Sequence, residues 1–123
     1  MLDVYSLNQT VPAGSSIPLN SVSLDNCCAE DLLSPSTIRL RKAGTYKIIV
    51  NAASATAATI ALTKDGSVMP GTEMTGTNPS VSKFIPVECS CCCNTSGSLI
   101  QIINPTDASE TFTTVSVTVE KVR

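Results

Sequence analysis

The chain has 123 residues, with 42% hydrophobic and 15% charged, which is the make-up of one folded domain and excludes a disordered acidic or basic tail. Its formal net charge of -2 argues against a nucleic-acid or anionic-membrane surface, which needs a basic stripe. There is no histidine, so neither a Ser-His or Cys-His dyad nor a His-ligated metal can be built.

Residue types point to β-structure. Ser and Thr number 31 and Val and Ile 20, and β-branched side chains favour strands. In chain order, alternation predicts a first strand through Leu2, Val4 and Tyr5–Leu7, then a turn at Val11–Gly14. Ser16–Leu24 reads as extended, Asn26–Pro35 as a polar loop, and Thr37–Leu40 as a short strand. Lys42-Ala43-Gly44 turns into a strand at Thr45–Val50. The Ala-rich stretch Asn51–Ala61 lacks an apolar stripe and reads as a strand end, a loop and a strand start. Thr59–Lys64 leads into Asp65-Gly66, the strongest hairpin signal in the chain, with Val68 and Met69 returning. The Ser/Thr-rich stretch 72–80 reads as a solvated tip, with hydroxyls that could meet a glycan. Ser80–Cys89, Gly97–Ile103 and Thr111–Val122 complete the set, the last alternating Val115, Val117 and Val119 with Ser116 and Thr118. Short strands with turn signals at this spacing predict an all-β sandwich or barrel, one domain over residues 1–123.

No run approaches the ~18 apolar residues of a membrane helix. The start Met-Leu-Asp-Val-Tyr-Ser lacks a signal-peptide pattern, so the expectation is folding inside the producing cell. Charge is uneven: residues 1–38 hold Asp3, Asp25, Glu30 and Asp31 and no basic residue, and residues 39–47 hold Arg39, Arg41, Lys42 and Lys47. Two readings stand, a pair of solvated faces or complementary patches meeting between subunits. Asp25, Glu30 and Asp31 match no calcium-loop spacing. Asn8-Gln9-Thr10 and Asn94-Thr95-Ser96 fit the glycosylation sequon, which has meaning only in a eukaryotic secretory route.

Four blocks, TVPAGSSIPLNSV (10–22), IRLRKAGTYKIIVNAAS (38–54), IALTKDGSVMPGT (60–72) and SVTVEKV (116–122), resemble the C-terminal jelly-roll domains of bacterial collagen-like surface proteins of the exosporium type. The fold of that family is like that of the complement globular head and tumour necrosis factor. The resemblance implies a jelly-roll β-sandwich and a tight homotrimer with an apolar axis. It assigns Val115, Val117 and Val119 to a surface shared between the sandwich and that axis. No Gly-X-Y stalk precedes the domain. With the start LDVYSLNQTVPAG and the CC and CCC clusters, the chain is more narrowly similar to standalone phage head-fibre or decoration proteins. That implies a virion location after assembly in the bacterial cytoplasm, and a major capsid protein or another virion protein as partner. A glycan- or receptor-binding module on a tail tip or spore surface is the alternative.

Six cysteines, Cys27 and Cys28 with Cys89, Cys91, Cys92 and Cys93, leave three readings open. Cys89-x-x-Cys92 has zinc-knuckle spacing, with Cys27 or Cys28 completing a thiolate site, although adjacent residues in extended chain face opposite ways. Disulfides within or between chains are the second, disfavoured until lysis exposes the particle to oxidant. Free thiols acting as small apolar filler are the third. No cofactor is otherwise implied, and the absence of a base beside these thiols argues against an enzyme.

Overall fold

The computed structural model describes residues 1–19, 21–25, 30–87 and 98–123, with backbone alone for Ser23–Asp25, Glu30, Asp31 and Leu33. All six cysteines, and with them the proposed thiolate site at Cys27, Cys28, Cys89 and Cys92, lie outside the described residues.

Every described element is a strand: β1 (Leu2–Val11), β2 (Ser21–Asp25), β3 (Glu30–Ser34), β4 (Thr37–Leu40), β5 (Gly44–Ala53), β6 (Ala58–Lys64), β7 (Ser67–Val68), β8 (Met74–Gly76), β9 (Ser80–Val87), β10 (Ser98–Ile103) and β11 (Glu110–Lys121). They form two antiparallel sheets, one in the order β2-β1-β11-β5-β9 and one in the order β3-β4-β10-β6-β7, with β8 added beside β6. This is the expected jelly-roll sandwich. No helix among the described residues is long and apolar enough to cross a membrane.

The core comes directly from period-two patterning. In β5, Tyr46, Ile48, Val50 and Ala52 point inward, and across the sandwich Ile100 and Ile102 of β10 and Ile60 and Leu62 of β6 meet them in one cluster. Each such Ile or Leu contributes about 1.5–3 kcal/mol by leaving water. Tyr46 is wholly buried because its hydroxyl has partners: it donates to the Lys42 carbonyl at 2.7 Å and accepts the Lys42 N–H at 3.2 Å. Beside it, Gly44 sits at φ 147°, and a Cβ there would strike the carbonyl oxygen of Arg123 and lie 2.7 Å from Lys121 Cε. Glycine lets the end of β11 close over the start of β5.

Asp65-Gly66 forms the predicted hairpin, with φ 52° and 88°, both positive as a type I′ turn requires. Elsewhere the sandwich uses more of the chain than the sequence indicates. β1 extends to Val11, and the stretch read as a polar loop holds β3, which pairs with β4. The stretch 72–80 is not a solvated tip throughout. Met74–Gly76 pairs with β6, and Thr72 is fully buried, accepting the Leu62 N–H at 3.1 Å and donating to the Met69 carbonyl at 2.7 Å.

The two sheets share an end-to-end polarity. Leu2 pairs with Val119 and Asp25 at one end of the first sheet, and Val11 pairs with Glu110 at the other. Both chain termini therefore sit at the first end, and the segments joining β5 to β6 and β10 to β11 close the second.

Candidate functional site

The outer face of the five-stranded sheet is built by the residues that alternate with the core. From β1 these are Asp3, Tyr5 and Leu7; from β11, Thr114, Ser116, Thr118 and Glu120. β5 supplies Lys47, Ile49, Asn51 and Ala53, and β9 supplies Ser80, Ser82, Phe84 and Pro86. Register sets them in rows. Tyr5 lies opposite Ser116, Ser116 opposite Asn51, and Asn51 opposite Ser80. The next row runs Asp3, Thr118, Ile49, Ser82, and the one after it Glu120, Lys47, Phe84.

This face has a definite pattern. Its middle is small and uncharged, and a hollow of about 430 Å³ opens there between Asn51, Ala53, Asn78, Ser80, Thr114 and Ser116. Apolar side chains stand at both flanks: Leu7 (54% exposed) beside Tyr5 on β1, and Phe84 (61%) beside Pro86 on β9. Of the four aromatic residues in the chain, Tyr46 and Phe112 fill the core, and Tyr5 and Phe84 are on this one face. Charges collect toward the terminal end, where Thr118 Oγ1 donates to Asp3 Oδ1 at 3.3 Å and Glu120 stands opposite Lys47. Of the other exposed apolar side chains, Val68 and Met74 are in β7 and β8 of the second sheet, Val22 is on the edge strand β2, and Met1 and Val122 are at the termini.

The three valines assigned to a shared axis are elsewhere. Val115, Val117 and Val119 are 0%, 0% and 1% exposed within a single chain, so they have no area to offer a partner. The reason is that their face of β11 meets the second sheet, and the polar residues between them face outward. The sequence signal for the true outer residues was present but weak. Phe84 and Ile85 are adjacent in a strand, so one of them must point away from the core.

The acidic and basic segments also come together within one chain. β3 and β4 pair with Asp31 opposite Arg39 and Glu30 opposite Leu40, so the two segments are neighbours in the same sheet without a second subunit.

No protein-family model matches the chain, and no curated protein sequence matches it. Solved structures do share its fold. It is similar to the globular domain of zebrafish complement 1qA, at 10% identity over 99% of this chain and 96% of that one, with a TM-score of 0.73. It is similar to murine APRIL, at 8% identity over 98% of each chain, with a TM-score of 0.68. It is also similar to PRD1 vertex protein P5, at 10% identity over 99% of this chain and 96% of that one, with a TM-score of 0.65. The chain thus has the jelly-roll sandwich fold of the complement-head and tumour-necrosis-factor type.

Proposed function

We propose that this protein is a structural component of a phage virion, a homotrimeric jelly roll that decorates or reinforces the head as a decoration or short-fibre protein, with the major capsid protein or another virion protein as its partner. Its role is assembly rather than catalysis. The observation that carries the reading is the outer face of the five-stranded sheet, which bears both non-core aromatics, Tyr5 with Leu7 on β1 and Phe84 with Pro86 on β9. Exposed apolar and aromatic groups at both flanks of an otherwise polar sheet mark a contact surface.

A threefold ring needs a heterologous contact, in which a projecting group of one copy meets a different region of the next. This face offers both parts, with Phe84 projecting from the edge strand β9 and the hollow beside Ser116 in the middle of the sheet. Edge-to-edge strand addition is discouraged, because β9 carries Lys83 and Pro86. Face packing is therefore the mode of association this sheet favours. Support for the virion setting is the likeness in fold to the vertex protein of PRD1 and the resemblance of the start LDVYSLNQTVPAG, with the CC and CCC clusters, to standalone head-fibre or decoration proteins.

Two measurements test this. Light scattering on the purified chain should give three times the monomer mass, and a clean monomer at micromolar concentration overturns the trimer. Particles fractionated from a lysate and checked by peptide mass spectrometry should carry the chain at fixed stoichiometry with heads. Recovery with tails or with cell or spore envelopes, and none with heads, rejects the head role and promotes the surface-binding alternative.

A further inference from the structure

The outer face of the five-stranded sheet divides into two unlike halves. On the β1–β11 half, Tyr5 and Leu7 project, and Asp3 and Glu120 bring negative charge. β2 pairs with β1 only as far as Tyr5, so among the described residues β1 is itself the edge of the sheet at Leu7. On the β5–β9 half, the hollow opens beside Asn51, Ala53, Asn78 and Ser80, and Lys47 is the charge that faces outward.

Rotation about a threefold axis moves a residue around the ring without changing its height along the axis. Each side chain therefore meets the next copy at its own height, and the ring closes where two different surfaces fit. The seam is longest with the strands set along the axis, since β1 runs roughly 30 Å and five strands side by side span about 19 Å. Strand register then gives the heights directly. Tyr5 shares a row with Ser116, Asn51 and Ser80, and Leu7 shares a row with Thr114 and Ala53. These are the rows that hold the hollow. Phe84, four positions along β9 from Ser80, stands roughly 13 Å away from them, in the row of Lys47 and Glu120.

We propose that Tyr5 and Leu7 of each copy seat in the hollow of the next, all the way round the ring. This contact rests on the trimeric reading and refines it, since it assigns the hollow to the β1 flank of the neighbouring copy. Size fits, because two large side chains meet a wall of small ones, and a tyrosine is the kind of anchor that dominates an interface. Polarity fits, because Asn51, Asn78 and Ser80 bring amides and a hydroxyl to the Tyr5 hydroxyl. Charge fits, because the half with Asp3 and Glu120 comes against the half with Lys47.

The test replaces Tyr5 with p-benzoylphenylalanine, which keeps an aromatic ring and on irradiation bonds to C–H groups beside it. The full chain is sized by light scattering and irradiated, and joined chains are cut from a denaturing gel for peptide mass spectrometry. Cross-links should fall on residues 51–53 or 78–80 of the second copy, and the same probe at Leu7 should reach the same residues. Ser80→Trp, at an exposed position, fills the hollow and should weaken the trimer about tenfold or more with an unchanged circular dichroism spectrum. A trimer whose cross-links fall elsewhere or do not form, or one that Ser80→Trp leaves as tight as the native chain, overturns this contact and leaves the trimer standing. A native chain that is monomeric at micromolar concentration overturns both.

Discussion

Asp65 and Leu99 exchange two hydrogen bonds: the Asp65 N–H donates to the Leu99 carbonyl at 2.8 Å, and Asp65 Oδ1 accepts the Leu99 N–H at 2.9 Å. The hairpin turn between β6 and β7 is thereby fastened to the start of β10. Asp65 also holds φ 52°, a region that costs most side chains about 1–2 kcal/mol and that Asp and Asn tolerate best. Asp65→Ala loses both features and should destabilise the fold by about 2 kcal/mol, whereas Asp65→Asn keeps an acceptor and the turn preference and should cost under about 0.5 kcal/mol. Chemical denaturation of the three chains checks the ranking, and equal losses for Ala and Asn would refute it.

Asn104 should be the least replaceable polar residue at the far end. It is fully buried, and its Nδ2 donates to the Val11 carbonyl at 3.1 Å and the Ala108 carbonyl at 2.8 Å, while Oδ1 accepts the Thr106 N–H at 3.0 Å. It ties the end of β1 to the segment leading into β11. Asn104→Ala strands those partners and should cost about 2–4 kcal/mol. Asn104→Asp should be no better at neutral pH, because it turns an acceptor toward two carbonyls. Thermal melts would show a shift of several degrees, and a native-like melting temperature for either variant would remove Asn104 from this role.

Ser6 works in the opposite direction. It is 1% exposed, lies opposite Val115 on the inner face, and its Oγ has no partner. Removing an unmet buried hydroxyl relieves a penalty of about 1–3 kcal/mol, offset in part by the small void left behind. Ser6→Ala should therefore be neutral or stabilising, by up to about 1 kcal/mol. A drop in the denaturation midpoint would show that the hydroxyl is satisfied in solution.

Core and contact surface separate on the first sheet, and two variants distinguish them. Val117 is fully buried, so Val117→Ala should lower stability by about 1–3 kcal/mol in a monomer or an assembly. Phe84 is 61% exposed, so Phe84→Glu should leave the unfolding free energy of the isolated domain within about 0.5 kcal/mol and disrupt association. Sedimentation and denaturation on both variants give the comparison. An intact trimer in Phe84→Glu would move the contact away from β9.

How much of this was legible depends on the kind of information each feature uses. β5, β9 and β11 were readable because alternation is a local signal, and the Asp65-Gly66 turn because its backbone demands are met by two residues alone. β3 was not, since it opens on two carboxylates, Glu30 and Asp31, and runs into Pro35, and its pairing with β4 is supplied by tertiary structure. The valines of β11 show a deeper limit. Alternation reveals that Val115, Val117 and Val119 share a face, and a strand packed on its own second sheet has the same pattern as one packed on a neighbour. A break in phase also hides in that strand. Phe112 and Val115 both point inward at a spacing of three, where Asn8 on the paired strand takes φ 53°. The hollow on the outer face was invisible, because Asn51, Ser80 and Ser116 meet only once their strands pair.

The separation of the ends has a practical meaning for orientation. β1 alone runs nine rises from Leu2, paired with Val119, to Val11, paired with Glu110, roughly 30 Å at the ordinary rise of a strand. A tether joined at either terminus leaves Asn104, Glu110 and the segments around them as the part of the molecule farthest from the anchor. Joined that way, the domain would stand as a short mast, with its far tip held clear of the anchor.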